Sequence, residues 1–429
     1  SNTHSPTRIF TLPPCHLATL SGTTDRFSPY GTHDAMKILV ANLGSTSFKY
    51  RLFDMQDESQ LARGGIDRIG SEESHCFAEI NDQRQELTAH VPDHAVAVRK
   101  CLEQLTDPDT GCLESADEVV AIGFKAVHGG RVSGVQRVTP DVLDAMSEMS
   151  AVAPAHNPPY IAAMKQLAEK LPDIPLVAAF ETGFHATVPD RIRYYPIPKK
   201  WGDEYHIKRW GFHGASHRYI AERTAKLLGQ DNLRVISCHL GGSNSLCGIR
   251  GRQSVATTMG MSPQSGLPHN NRVGDFDPFA VPVIMQATGK TQEEVLDDLA
   301  NKSGLLGLSG VSGDIRDLEE AAAGGNADAQ LALDVFTTEI RRHLGGLLVE
   351  LGGADAIVFT GGIGENGAGI RRKVCENLQA LGIVLDESKN TSAKGESAIH
   401  ADNSRTQLWV IPTNEEIIVA RQTKKLLEG

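Results

Sequence analysis

Three turns rich in glycine and serine stand out in this sequence as places that could hold an anion. Asn42-Leu43-Gly44-Ser45-Thr46-Ser47 runs into Phe48 and Lys49. Backbone N–H groups and small hydroxyls can wrap a phosphate, and Lys49 would add a charge. A plain β-hairpin is the alternative. Gly241-Gly242-Ser243-Asn244-Ser245 is a matching turn in the second half. Two such turns facing each other across a cleft would make a phosphate clamp. Gly361-Gly362-Ile363-Gly364-Glu365-Asn366 follows an apolar run. There a strand-to-helix turn would let a ligand approach the backbone at a helix N-terminus. Its spacing is not G-x-G-x-x-G, and it lies far from the N-terminus, so a dinucleotide fold is disfavoured. Gly289-Lys290-Thr291 ends like a P-loop, but Ile284 stands where that motif needs glycine.

Other segments add titratable groups. Trp210-Gly211-Phe212-His213-Gly214-Ala215-Ser216-His217 places two histidines four apart. On a helix they would share a face and could bind a metal. No acid sits at H-E-x-x-H spacing, and Gly214 disfavours a regular helix. His217 therefore reads as a satisfied structural histidine, and His213 as a residue exposed in a cleft. Arg272, in Asn270-Asn271-Arg272-Val273-Gly274-Asp275, could clamp an oxyanion. A surface salt bridge is the alternative. Pro412-Thr413-Asn414-Glu415-Glu416 precedes a helical terminus, where a carboxylate could hold Mg²⁺ or cap the helix.

These groups need rigid elements to position them. Ile38 to Ala41 and Phe48 to Phe53 read as strands flanking the first turn. Val235 to Leu240 and Leu246 to Ile249 repeat that unit, which suggests two related domains. Asn157-Pro158-Pro159 reads as an N-cap with prolines in the first turn of a helix. Val335, Phe336, Ile340, Leu344, Leu347, Leu348 and Leu351 predict a long helix stopped by Gly352-Gly353. Ala356 to Thr360 reads as a buried strand. Strands alternating with helices make the fold class α/β.

The composition sets bounds. A chain of 429 residues suggests two to three domains at about 150 residues each. Forty-two Lys and Arg against 53 Asp and Glu give a net charge of −11, which disfavours nucleic acid as a partner. No apolar run reaches the roughly 18 residues of a membrane span, so no membrane is expected. Seven scattered cysteines without a C-x-x-C pair argue for a reducing cytoplasm rather than a disulfide framework. Residues 1–35 carry Pro13-Pro14, many Ser and Thr, and no secretory apolar segment. They read as a flexible tail and are set aside from the fold.

Taken together and in order, these segments resemble the acetate kinase family, the acetate and propionate kinases of the actin and hexokinase superfamily. The resemblance runs from Met36 to Leu427. It rests on Asn42-x-Gly-Ser-x-Ser-x-Lys49, His128-Gly129-Gly130, His156-Asn157-Pro158, Gly211-Phe212-His213-Gly214-x-Ser-His217, His239-Leu240-Gly241, Arg272-x-Gly-Asp275, Ser312-Gly313-Asp314-Ile315-Arg316, Gly361 to Asn366 and Thr413-Asn414-Glu415-Glu416. The resemblance implies two duplicated α/β domains of ribonuclease H-like, actin/hexokinase type around a nucleotide cleft. Residues 36–183 with 416–429 would form an N-terminal acid-kinase domain, and residues 184–415 a nucleotide-binding domain. The implied cofactors are ATP and Mg²⁺, the implied partner is a small carboxylic acid, and the implied assembly is a homodimer.

Site roles follow from the same resemblance. Gly362, Ile363, Gly364 and Asn366, with Asp314, Ile315 and Arg316, would surround the adenosine. Asn42, Ser45, Ser47 and Lys49 would face the phosphates from one domain, and His239, Gly241, Gly242 and Ser243 from the other. Asn42 and Glu415 would place Mg²⁺, and His213 and Arg272 would stabilise the transferring phosphoryl group. Val127, Ala155, Phe212 and Pro263 would line the acid pocket.

Several positions depart from the family. Lys125 stands where the family has Arg, which keeps the charge and loses the fork. Glu181 stands where it has Asp, and its extra methylene is expected to reach toward Lys125 or Mg²⁺. Ala155 replaces a large apolar residue, and His269-Asn270-Asn271 replaces Met-Gly-Thr. Asn244 follows a Gly242-Ser243 pair where the family has Asn-Gly, either as a shifted equivalent or as a weakened contact. The expected activity is reversible, direct in-line phosphorylation of acetate or propionate. A larger or hydroxylated acid, or a weakly active nucleotide-binding homologue, is the alternative.

Overall fold

A computed structural model of the chain describes residues 36–44, 46–154 and 156–429. The expectation of a flexible tail over residues 1–35 falls outside the described residues, as do those for Ser45 and Ala155. The described residues, from Met36 onward, belong to one compact unit. The first part of it supplies β1 (Lys37–Leu43), β2 (Ser47–Asp54), β3 (Ser59–Asp67), β4 (Ser74–Ile80) and β5 (Gln83–Ala89). It continues with β6 (Val119–Ala126), β7 (Val135–Arg137) and β8 (Leu176–Phe180). They form an eight-stranded sheet in the order β5-β4-β3-β2-β1-β6-β8-β7. The later part supplies β9 (Arg234–Leu240), β10 (Asn244–Arg250), β11 (Gln253–Thr257), β12 (Ala356–Thr360), β13 (Ser397–Ala398) and β14 (Gln407–Val410). They form a six-stranded sheet in the order β11-β10-β9-β12-β14-β13.

The duplication expected from the two hairpins is visible in the pairing. β1 runs antiparallel to β2 and parallel to β6, and β6 runs parallel to β8. β9 repeats this with β10, β12 and β14. In both sheets the hairpin turn and the ends of the parallel strands therefore open on the same edge. That edge is where open α/β sheets bind ligands.

β1 shows why its sequence is a continuous apolar run. Leu39, Ala41 and Leu43 pack with Phe48, Tyr50 and Leu52 on one face. Ile38 and Val40 pack on the other against Ile417, Ile418, Val419 and Ala420. A strand covered on both faces has no polar side to alternate with. The apolar stripe of the terminal helix Glu415–Glu428 thus returns the chain end to the first sheet, and its first turn lands beside the β1–β2 turn. The helix Gly214–Leu228 joins the sheets. Its Ala215 packs with the terminal-helix cluster, and its Ile220 and Ala221 pack against Val235, Ile249 and Val358 of the second sheet.

Three local expectations are corrected. The first turn is shorter than read, because β1 runs through Leu43 and β2 starts at Ser47. Asn157 is not an N-cap but the first residue of the helix Asn157–Lys170. Its buried amide donates to the carbonyls of His128 and Met146, both at 2.7 Å. Gly361–Asn366 winds into a short helix of its own. The long helix spans Ala327–Leu351, starting eight residues before the apolar stripe, where Asn326 caps it by accepting from the N–H groups of Asp328 and Ala329. Gly352 ends it at φ 67°, a left-handed conformation that glycine adopts without strain.

Phe336 sits at the centre of the second core and is fully buried. Phe336→Ala should lower unfolding stability by about 3–5 kcal/mol. Val349→Ala, at a side chain 83% exposed on the same helix, should change it by less than about 0.5 kcal/mol. Urea denaturation of the two variants checks the contrast.

Candidate active site

The two hairpin turns are built differently. In the first, the Gly44 N–H donates to the Ser47 carbonyl at 2.8 Å, and a Cβ on Gly44 would collide with Ser47 Oγ. Asn42 lies just before it. Its amide donates to Glu416 at 3.3 Å, while its buried Oδ1 has no partner among the described residues. In the second, Asn244 Oδ1 accepts from the Gly241 N–H and its amide donates to the Pro268 carbonyl, both at 2.9 Å. Asn244 therefore ties the turn together and is not the shifted phosphate contact. Beside it, Gly361 has φ +77°, and a Cβ there would sit 2.6 Å from the Leu240 carbonyl oxygen. The third glycine turn can approach the end of β9 only without a side chain.

Two cavities meet at the second turn. The larger, about 580 Å³, has Gly241 and Gly242 on one side and Gly362, Ile363 and Asn366 on the other. Asp314, Ile315 and Arg316 close it, together with Asn270, Glu319 and Gly367, which sequence reasoning had not assigned to it. Arg316 binds Asp314 with its fork at 2.6 and 3.0 Å, and this pairing holds the Asp314 carboxyl down to about 2. Gly364, expected here, faces away. It packs against Phe359, and its carbonyl accepts from the buried Arg371.

The smaller cavity, about 280 Å³, starts at Ser243 and gathers Lys125, Glu181, His213 and Arg272 with Asn42. Val127, Phe212 and Pro263 form its apolar wall, as expected. His156, Tyr160 and Leu43 also line it. Nothing in the local pattern marks Tyr160, whose hydroxyl accepts from the Leu43 N–H at 3.2 Å. His269 is buried elsewhere, its Nδ1 accepting from the Asn244 N–H at 2.9 Å. Neither His269 nor Asn270, which replace part of the family's Met-Gly-Thr segment, lines this cavity. Lys49 instead lines a third hollow, with Asn42, Arg51 and Glu416.

Charge in the smaller cavity is held by three elements. Lys125, near the end of β6, pairs with Glu415 in the first turn of the terminal helix. Burial opposes the ammonium, yet the carboxylates of Glu415 and Glu181 prevail and raise its pKa. Burial alone would raise Glu415, but Lys125 above all holds it below the usual range. Glu181 forms no ion pair with Lys125, although the two line the same cavity and each feels the other's charge. It lies at the end of β8, 5% exposed, with both carboxylate oxygens unpartnered among the described residues. Burial raises its pKa to about 7, the Glu415 charge adds to this, and Lys125 opposes it.

His213 is the residue just before the helix Gly214–Leu228 and takes the left-handed conformation, φ 55°. Its ring stacks on His239, centroids 4.1 Å apart. Burial, then the neighbouring His239, His217 and Lys125, push its pKa well below the usual imidazole value, so it is neutral at pH 7. Arg272 Nη1 donates to the Pro263 carbonyl at 2.9 Å, which aims the guanidinium along the apolar wall. His217 is fully buried and hydrogen-bonded at both ring nitrogens, as a structural histidine should be.

The Acetokinase family model matches residues 37–421. The acetate kinase of Shouchella clausii is 42% identical over 393 residues, 91% of this chain and 99% of its own. That of Methanosarcina acetivorans is 41% identical over 397 residues, 92% and 97%. The crystal structure of Porphyromonas gingivalis acetate kinase superposes with a TM-score of 0.84 at 35% identity, covering 92% of this chain and all of the other. A propionate kinase from Francisella tularensis does so with a TM-score of 0.82 at 32% identity, covering 90% and 98%.

Glu181 imposes a pH dependence on stability. Its carboxyl titrates near the ordinary 4.5 when unfolded and about 7 when folded. Between these values the folded chain holds a proton that the unfolded chain has lost, so stability falls as pH rises through the window. Glu181→Gln removes the effect. Its stability relative to the parent should rise by on the order of 2 kcal/mol from pH 4.5 to 7.5. Urea midpoints at both pH values check this; an unchanged gap would contradict it.

Proposed function

The chain belongs to the acetokinase family, and on that ground we propose that its cleft transfers the γ-phosphoryl group of ATP directly to the carboxylate of acetate or propionate. It is a phosphotransferase with a carboxyl group as acceptor, and its fold is the two-domain actin/hexokinase type. One observation carries the residue-level reading: Lys125, His213 and Arg272 converge on a small apolar-walled cavity that shares the Gly241–Ser243 turn with a larger one.

The larger cavity takes the nucleotide, with Gly362, Ile363 and Asn366 against the adenosine and Gly241 to Ser243 along the phosphates. The smaller takes the acid, its short carbon chain on Val127, Phe212 and Pro263. A carboxylate is already ionised at pH 7, so it attacks phosphorus without a general base. Catalysis is positioning and neutralisation of charge. Arg272 and Lys125 supply cations, and neutral His213 supplies a hydrogen bond at low desolvation cost. The product is an acyl phosphate, so synthesis of ATP in reverse is accessible.

The oxygen atoms here suit Mg²⁺. Asn42 Oδ1 is buried, unpartnered among the described residues and lines the smaller cavity, and Glu415 pairs with Lys125, which lines it too. Among the described residues no three His, Cys, Asp or Glu side chains converge as a self-sufficient metal site. An ion held by one or two protein oxygens and by substrate phosphates needs none. Asn42 and Glu415 would hold it, and when bound it supplies neutralisation of phosphate charge. Lys125 must then share Glu415 or leave it.

The substrate is a short-chain acid. The small volume and the apolar wall favour acetate or propionate over a larger hydroxylated acid. The assembly is a homodimer formed through the helix Ala280–Thr288, whose sequence AVPVIMQAT is almost wholly apolar and none of whose residues is buried. Phe279, just before it, is 82% exposed. The domain division at residues 183/184 and 415/416 assigns one sheet to each half. The described cysteines are all free thiols, in keeping with a cytoplasmic protein. No helix among the described residues is long and apolar enough to cross a membrane.

Hydroxylamine trapping of acyl phosphate tests the activity. With ATP and Mg²⁺, acetate and propionate should both give hydroxamate, and silence with both acids would sink the proposal. His213→Ala and Arg272→Ala should each lower kcat by about 10²–10³-fold with little change in KM for ATP. Phe279→Glu should convert the dimer to monomer in light scattering; an unchanged mass would place the interface elsewhere.

A further inference from the structure

Serine hydroxyls wire together the histidines behind the smaller cavity. Ser237 Oγ, on β9, lies 2.9 Å from His217 Nδ1. His217 Nε2 lies 2.8 Å from Ser245 Oγ on β10. Ser245 Oγ lies 2.8 Å from His213 Nδ1. Ser237, His217 and Ser245 are all fully buried. Only His213, at the end of the run, reaches the cavity.

The protons in this run can be assigned by counting. Each hydroxyl has one proton to give, and each neutral imidazole has one N–H. Ser237 Oγ has His217 Nδ1 as its sole hydrogen-bond partner among the described residues. Its proton must go there, because a buried hydroxyl without an acceptor is costly. His217 then carries its proton on Nε2 and donates to Ser245. The Ser245 hydroxyl has one acceptor left, His213 Nδ1. His213 is left with its proton on Nε2. The reverse order would strand the Ser237 hydroxyl. Donation by both histidines to Ser245 would strand that of Ser245. Burial keeps both imidazoles neutral, as the count requires.

A neighbouring histidine shows the same arrangement with an independent anchor. His185 Nε2 lies 2.9 Å from the Phe212 carbonyl, which can only accept. Its proton is therefore on Nε2, and its Nδ1 takes the hydroxyl of Ser254 at 2.8 Å.

We infer that Ser237, His217 and Ser245 are positioning residues that lock His213 in the Nε2–H tautomer. A neutral imidazole then presents a donor, not a lone pair, to the phosphoryl oxygens. The stacked His239 ring holds the plane in which that N–H points. The inference rests on the proposed role of His213 only for its use in catalysis; the tautomer itself is a property of the resting chain.

The test is a long-range ¹H–¹⁵N correlation spectrum of the full chain with ¹⁵N-labelled histidine, near pH 7.5 and without substrate. His213 is assigned by its absence from His213→Gln. The expected signature is a pyridine-type Nδ1 and a pyrrole-type Nε2. The opposite pattern, or an imidazolium, overturns the inference. Ser237→Ala should populate the other tautomer and lower kcat about threefold to tenfold, less than outright loss of a donor, with KM for ATP unchanged. Ser237→Thr should restore both. A Ser237→Ala spectrum that keeps the parent pattern also overturns it. Should Ser237→Ala not fold, Ser245→Ala read by the same spectrum takes its place. Inactive enzyme with the expected tautomer would instead fault the proposed function.

Discussion

Two carboxylates and one ammonium meet at the end of the first sheet, the carboxylates largely buried and the ammonium about a third exposed. Lys125 comes from the first sheet, Glu181 from the end of the neighbouring strand and Glu415 from the chain terminus. None of the three is stable there alone. Breaking a partly buried pair leaves a poorly solvated charge. The ammonium therefore pins the first turn of the terminal helix to the first sheet, and the unpaired carboxyl escapes part of the penalty by holding a proton near neutrality. With Arg272 the set is close to neutral at rest. Phosphate groups arriving in the cleft bring negative charge that Arg272 and Lys125 are placed to neutralise.

The duplicated topology explains how such a pocket forms from distant parts of the chain. Each sheet offers a hairpin turn and the ends of parallel strands on one edge. The helix Gly214–Leu228 packs on both cores, and His213 stands at its start. Its position is set by two sheets at once, and the serine run from β9 and β10 fixes its ring from behind. Neutral histidines suit this place. They give hydrogen bonds without the desolvation penalty of another buried charge.

Much of this was legible in the residues. The two hairpins, the long helix ending at Gly352 and the buried strand before Gly361 follow from apolar patterning and glycine. His213, Arg272 and Lys125 could be named because they sit in motifs. What escaped depends on contacts between distant segments. Asn157 looked like a cap, yet it bonds two carbonyls that sequence spacing cannot place beside it. Asn244 was either a shifted phosphate contact or a weakened one, and its amide is taken by the Pro268 carbonyl. Glu181 was expected to reach toward Lys125 or Mg²⁺; it lines the same cavity as Lys125, and the ion pair itself comes from Glu415 at the far end of the chain. Ser237 carried no signal, since a buried serine on a strand is ordinary until its partners are known, and Ser245 was read only as part of the second turn.

The central claim is that phosphate passes directly from nucleotide to acid, although Glu181 and three histidines stand close enough to be suspected as carriers. Their placement argues against that role: His213, His217 and His239 each give a ring nitrogen to a serine, and Glu181, though it lines the cavity, is partly protonated near neutrality. ATP made chiral at the γ-phosphorus with oxygen isotopes decides the matter. One in-line displacement inverts the configuration in the acyl phosphate, and inversion is the result expected here. Net retention would mean two displacements through a phosphorylated side chain, and would contradict the account.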